Sequence, residues 1–322
     1  MIGFVIQRLI QAAAVMAAMS VVVFVGVHAV GNPVDIVIPP DATQDIRDAA
    51  IARLGLDQPL WRQYLIFVGG ALQGDFGRSF IYNEPVLDLI AGRAPASIEL
   101  VLVSVISATV LGVSLGVYAG YRPHAPLSRA IMALSVLGFS VPTFWVGLIL
   151  ILTFAVSLGW LPAGGRGATV DILGVAWSFP TRDGLAHIAL PAINLALFKL
   201  AMMIRLTRSG VREVMLTDTI RFARAAGIAE GVILRRHVLT LIAAPIVTVF
   251  GLELGSTLAF AVVTETIFSW PGLGKLIIDS ITLLDRPVMV AYLILTALLF
   301  VTINLVVDIA YAALDPRARG GA

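Results

Sequence analysis

The sequence predicts an all-α, polytopic membrane protein with six transmembrane helices. Two observations carry that reading. The first is composition. Of 322 residues, 59% are hydrophobic and 13% charged, with a mean hydropathy of +0.96; a soluble domain carries about 25% charged residues. The second is the clustering of the apolar residues. Six stretches, 9–30, 98–120, 130–157, 188–206, 240–264 and 288–312, approach or exceed the roughly 20 residues needed to cross a hydrocarbon core. Backbone amides find no water there, so each stretch is read as a helix.

The first element, residues 1–30, places Arg8 before an uncharged run from Leu9 to Val30. That run is longer than the apolar region of a cleaved signal, and no A-x-A site precedes Asn32, so a retained helix is expected. Residues 31–93 form an extracytoplasmic segment too long for a plain turn. Within it, "DATQDIRDAAIARLGL" (41–56) has an Asp or Thr start and a Gly55 stop, the marks of a short amphipathic helix. "PLWRQYLIFVGGAL" (59–72) reads as a second helix with Pro59 near its first turn. Its apolar run is too short to span. A small helical cap and a loop that merely covers helix ends both fit this segment.

Residues 94–312 hold the remaining five spans. The fourth is the least apolar, since it contains Pro191 and Asn194 and is interrupted by Lys199. Orientation follows from arginine. Arg8, Arg122, Arg129, the seven arginines of loop 205–237, and Arg317 and Arg319 of the tail 313–322 fall on one side of a six-span chain. Basic residues near helix ends mark the cytoplasm, so both termini are expected inside.

Several function classes are excluded. The chain has no cysteine, hence no disulfide or thiol chemistry. Its four histidines are scattered and form no H-E-x-x-H, and there is no G-x-S-x-G elbow. "PGLGKL" (271–276) is not a phosphate loop: Ser269 stands where the first glycine belongs, and no Ser or Thr follows Lys275. No metal site, bound cofactor or enzymatic role is expected.

Charged and amide side chains inside spans are costly and tend to face an interior. The set is Asn194, Lys199, Glu253, Asn304 and Asp308. Glu253 lies near the middle of its span between Gly251 and Gly255, small residues that admit a neighbouring helix. It reads either as a pathway wall or as a structural carboxylate paired with Lys199. Asp308 is placed to bond a nearby arginine or backbone group.

Loop 205–237 contains a second local signal. Thr217 or Asp218 can cap a short helix running through Ala226, and Gly227 can end it in a left-handed turn. Ile220, Ala223 and Gly227 share one face, with Phe222 and Ala226 beside it; Arg221, Arg224 and Ala225 point elsewhere. A second helix can start near Glu230. Such a pair of helices could rest on anionic lipid or present its small-residue face to a partner's groove.

At these residues, "DTIRFARAAGIAEGVILRRHVLTLIAAPIVT" (218–248) resembles the cytoplasmic EAA loop of binding-protein-dependent ABC importer permeases. Ala223, Gly227 and Pro245 fall on that pattern, while Arg221 and Phe222 replace its leading Glu-Ala. An arginine there is usual in the peptide and nickel subgroup. The stretches 54–80, 140–154, 205–215, 265–281 and 304–319 are similar to the same subgroup. The long segment after the first span is similar to the first of the two permease subunits. The resemblance implies a type I importer permease (MetI-like) fold in a bacterial inner membrane. It implies a heterodimer with a second permease, two ATPase subunits carrying ATP and Mg, and an extracytoplasmic substrate-binding protein, with lipid around it and no nucleic acid. It further implies that Asp218, Arg221, Phe222, Ala223, Arg224, Gly227 and Glu230 form the ATPase-coupling loop. The implied substrate is a di- or oligopeptide; nickel chelates, opines, glutathione and sugars are alternatives within the family. A stand-alone transporter driven by protons through Glu253 and Asp308 is the alternative of another class.

Overall fold

A computed structural model describes residues 2–29, 43–53 and 57–314. The helices are α1 (Ile2–Ala29), α2 (Gln44–Arg53), α3 (Leu60–Leu72), α4 (Val86–Tyr121), α5 (Pro126–Ser140), α6 (Thr143–Leu150), α7 (Arg182–Met215), α8 (Asp218–Ala225), α9 (Glu230–Val232), α10 (Leu239–Ile267), α11 (Leu273–Thr282) and α12 (Arg286–Leu314). A π-helical segment, Ile151–Ser157, continues α6, and another, Ile233–Val238, joins α9 to α10. The all-α expectation has one small exception. An antiparallel hairpin, β1 (Val170–Ile172) with β2 (Val175–Trp177), lies between the third and fourth spans and pairs Val170 with Trp177.

Among the described residues, five helical stretches are long and apolar enough to cross a membrane, in α1, α4, α7, α9–α10 and α12. The third expected span is not one rod. α5 and the helix that begins at α6 meet at 107°. The cause is local. Pro142 disfavours helical geometry in the residue before it, and Val141 is extended at φ −92° and ψ 132°. Counted as one broken span, this pair makes the sixth.

α7, the least apolar of the expected spans, is the most deeply placed: 61% of its apolar window is buried. Its broadest partner is α4. Gly112, Gly116 and Gly120 form a ridge at four-residue spacing. A Cβ added to them would stand 2.5, 2.6 and 2.7 Å from the Cβ atoms of Met203, Thr207 and Val211. Small residues repeated every four positions let two helix backbones close together in lipid. One core cluster then gathers Ala96, Leu100, Val105, Ile188, Leu195, Leu258 and Trp270 from α4, α7, α10 and the turn after α10.

α2 begins near the expected start, while its expected Gly55 stop lies outside the described residues. α3 follows Pro59 and docks on α1. The Tyr64 hydroxyl lies 2.8 Å from that of Ser20, and the rings of Tyr64 and Phe67 stand 5.4 and 6.0 Å from that of Phe24.

Candidate functional site

Loop 205–237 is shorter as a loop than expected, because α7 carries its first eleven residues as helix to Met215. Thr217 occupies the position before α8, but its hydroxyl donates back to the Val214 carbonyl at 2.7 Å rather than capping α8. The end of α8 is as expected. Gly227 has φ +77°. The Gly227 amide donates to Arg224 O at 3.0 Å and the Ile228 amide to Ala223 O at 3.1 Å, the paired bonds of a Schellman stop.

The orientation of α8 corrects one expectation. Ile220 and Ala223, the small-residue face expected to meet a partner, are turned inward and are 0% and 3% exposed. They pack with Val211 of α7, Ile233 and Val238 of the π segment, and Ile242 of α10. Ala223 therefore supports α8 from beneath. The outward face carries Phe222, 76% exposed, beside Leu216, Asp218 and Arg221. Asp218 and Arg221 pair at 3.1 Å across one turn. Arg224 and Glu230 clamp the turn between α8 and α9, Nε to Oε1 at 2.6 Å. The hydroxyl of Tyr121, the last residue of α4, adds a bond to Glu230 Oε2 at 3.2 Å. Tyr121 was not legible as part of this site, since it lies 109 positions away.

A second polar site lies inside the helix bundle. Lys199 Nζ of α7 and Glu253 Oε2 of α10 are 2.5 Å apart, with side chains 8% and 15% exposed. The Ser256 hydroxyl is 3.5 Å from the same carboxylate oxygen. Gly255 faces the other way, where an added Cβ would meet the Phe300 ring of α12 at 3.1 Å. Five residues before Lys199, Asn194 Nδ2 donates to Thr264 Oγ1 at 3.0 Å. Asn194 Oδ1 is buried without a hydrogen-bond partner among the described residues. Asn304 lines a crevice of about 250 Å³ between α1 and α12 with Arg8 and Gln11. The backbone of Asp308 belongs to α12, and its side chain lies outside the described residues.

Three buried carboxylates at the opposite end of the bundle went unnoticed in the sequence. Glu99 of α4 accepts from Arg166 Nη2 at 2.8 Å, from the Ser178 amide and hydroxyl at 2.8 Å each, and from the Phe179 amide at 2.5 Å. This fastens the loop between the third and fourth spans to α4. Glu265 accepts from the Ser97 hydroxyl at 2.5 Å and from the amides of Gly274 and Lys275 at 2.7 and 3.1 Å. The glycines of "PGLGKL" therefore cradle a carboxylate of their own chain. A side chain at Gly272 would strike that carboxylate, and one at Gly274 would stand 2.5 Å from Val262 Cα. Asp285 accepts from the Ser79 hydroxyl and from the Phe80 amide at 3.1 Å. A charge so buried is stable only when its acceptor positions are filled by hydrogen bonds or opposite charge.

No group of His, Asp or Glu able to hold a metal occurs among the described residues. What the arrangement supplies is a set of spans joined at both ends, with one short helix projecting beyond them. Residues 112–320 match the family described as binding-protein-dependent transport system inner membrane component, and residues 1–101 match its N-terminal membrane component. The chain belongs to this permease family. It is similar over its whole length to curated relatives. The oligopeptide transport system permease AppB of Bacillus subtilis (strain 168) is 38% identical over 319 residues, 98% of this chain and 99% of the relative. The glutathione transport system permease GsiC of Escherichia coli (strain K12) is 36% identical over 320 residues, 99% of each. Among solved structures, an inward-facing form of the MetNI methionine ABC transporter matches with a TM-score of 0.56 and 16% identity, over 71% of this chain and 97% of that one. That likeness gives the fold, the type I importer permease arrangement. The chain is thus a multi-pass inner-membrane permease subunit of an ABC importer. Its permease core contains α8 and the Lys199–Glu253 pair, and its N-terminal part contains α1 to α3.

Proposed function

We propose that this permease carries di- or oligopeptides inward, and that α8 is the element through which partner ATPases move its spans. One observation carries the coupling assignment. α8 is buried on its Ile220–Ala223 side against α7 and α10 and exposed at Phe222. A partner gripping the exposed side would displace two spans at once. Phe222, Asp218 and Arg221 are the contact residues in this reading. Arg224, Glu230 and Gly227 hold the shape of the turn, and Ala223 seats it.

The substrate class rests on the relatives. Permeases named for oligopeptides and for glutathione, itself a short peptide, align with this chain from end to end. In this reading the α8 loop and both termini are cytoplasmic, as the arginines require. ATP and Mg sit on two ATPase subunits, a second permease completes the pathway, and an extracytoplasmic binding protein delivers substrate. Lys199, Glu253 and Asn194 form a polar layer across the middle of the spans, with Asp308 toward the inner end of α12. Glu253 is engaged by Lys199, which speaks for ATP-driven movement over a free proton-carrying carboxylate.

The test is Phe222→Asp. The side chain is exposed, so the permease should reach the membrane in normal amount. ATPase recovered with the purified permease should fall several-fold, and peptide uptake with it. Normal ATPase recovery and normal uptake would refute the assignment of α8.

A further inference from the structure

Helix α3 raises a question of depth. It is joined to α1 through Ser20 and Phe24, yet the uncharged run that begins at Leu9 continues to Val30. Ser20 is ten residues short of that end, about 15 Å at 1.5 Å per residue, and Phe24 about 9 Å short. The 22 residues from Leu9 to Val30 are just long enough to fill a hydrocarbon core of about 30 Å. The inward face of α3 therefore docks below the level at which α1 leaves the bilayer.

The other face of α3 is apolar. Trp61, Leu65 and Leu72 fall within one narrow arc of the helix and are 64%, 58% and 84% exposed, with Ile66 at 62% nearby. On α1, Val21, Val22 and Val25 are likewise exposed. α1 is buried over only 11% of its apolar window, so much of its face is open to lipid, and the surface of α3 continues it. The backbone of α3 is suited to such a place. At its C-terminal end Gly70 O accepts from the amides of Gln73 and Asp75, and Ala71 O from that of Gly74, so the last carbonyls have internal partners, as lipid demands.

We infer that α3 is an interfacial helix lying within one bilayer leaflet, with its Trp61–Leu65–Leu72 face against acyl chains. In the orientation proposed above this is the outer leaflet, but the inference rests on the depth of Ser20 and Phe24, not on which side they face. Phe24 docks within the roughly 5–10 Å to which amphipathic helices sink their apolar side, and Ser20 stands deeper, toward the inner limit of that leaflet. Trp61 is the kind of residue enriched at head-group level, and Arg62 can lay its stem along the helix while its guanidinium reaches water. The segment between the first two spans is then partly a membrane element and not wholly a cap standing in water.

The chain has no cysteine, so one introduced cysteine is its single labelling site, and the label is attached to the purified permease before the partner subunits are added. The Leu65→Cys permease, spin-labelled in this way, would be assembled into the transporter and reconstituted in phosphatidylethanolamine–phosphatidylglycerol vesicles. Collision with oxygen is then compared with collision with a water-soluble nickel chelate. Val22→Cys on α1 is the lipid reference and Asp45→Cys on α2 the water reference. The oxygen-to-nickel ratio at Leu65 should lie within roughly twofold of that at Val22 and several-fold above that at Asp45. A ratio matching Asp45 would mean that the face is in water. Loss of both collisions would mean that the second permease or the binding protein covers it. Either outcome overturns the inference. Should Leu65→Cys fail to assemble, quenching of tryptophan fluorescence by brominated lipids decides. It should be weaker in Trp61→Phe than in the unaltered protein, and equal quenching would sink the idea.

Discussion

Lys199→Met would leave Glu253 among packed helices with, among the described residues, only the Ser256 hydroxyl, at 3.5 Å, near its carboxylate oxygen. Both members of the pair are largely withdrawn from solvent, at 8% and 15% exposure. Removing one partner of such a pair costs about 3–5 kcal/mol, because the other charge stays buried and uncompensated. Glu253→Gln strands the ammonium instead and should cost about as much. Losses simply added would reach about 6–10 kcal/mol. The double variant buries no charge at all. Its Gln amide lacks a full set of partners, worth about 1–3 kcal/mol. The double variant should therefore fall short of the sum by about 3 kcal/mol or more. At about 2 °C per kcal/mol, the low end for larger domains, each single variant loses roughly 6–10 °C and the double recovers most of it. The assay is the fraction of monodisperse permease complex left after heating in detergent, read by fluorescence on size exclusion. Losses that add to within about 0.5 kcal/mol, or roughly 1 °C, would refute the pairing.

Three other outcomes are expected. At Gly227 nothing lies within 4 Å of an added Cβ, so only the left-handed backbone is at stake. Gly227→Val should lower ATPase recovery and uptake while leaving permease abundance unchanged, whereas Gly227→Asn, which tolerates that conformation, should retain most of both in the same pull-down and uptake assays. Gly116→Leu would drive a side chain into Thr207 and the Ile204 carbonyl, where even a Cβ stands 2.6 and 2.8 Å away; overpacking of at least about 1–3 kcal/mol should appear as low yield and aggregation on size exclusion, with Gly26→Leu, which meets nothing within 4 Å, as the harmless control. Glu99→Ala should release the Arg166 loop and lower thermal stability by about 3–5 kcal/mol, with new protease cleavage between residues 158 and 181; an unchanged digestion pattern would contradict the clamp.

Features set by neighbouring residues were legible. Gly227 ends α8 because a Schellman stop needs one residue at positive φ, and that requirement is met within six positions. The apolar stretches located the spans for the same reason. The break at Val141–Pro142 was equally local, but an average of hydropathy runs straight through it. The glycines at 112, 116 and 120 could have been read as a helix-packing ridge from their spacing alone. Other features depend on partners far along the chain. Asn194 looks like an interruption of a span until Thr264 arrives from α10, whereas the pairing of Lys199 with Glu253 was one of two readings open in the sequence. Glu99 gives no signal of its own, since Arg166 and Ser178 lie 67 and 79 positions away. For α8 the helical period sorted its residues into faces but could not say which face looks inward. That depended on Val211 and Ile242 supplying an apolar seat.

The close seam between α4 and α7 has a mechanical meaning. α4 is a 36-residue helix, about 54 Å long at 1.5 Å per residue. Its last residue, Tyr121, holds Glu230 beside the α8 turn, and Glu99 and Ser97, about 33 and 36 Å further along the helix, hold the loops near the opposite end of the bundle. Bound to α7 along the glycine ridge, it has little room to flex or slide. A stiff beam pivoting midway between Tyr121 and Glu99, beside Gly112, moves those two points by equal and opposite amounts. An ångström of push at the α8 end would then arrive, undiminished and reversed in direction, at the loops on the opposite side of the membrane, with no relay of intermediate contacts to be rearranged on the way.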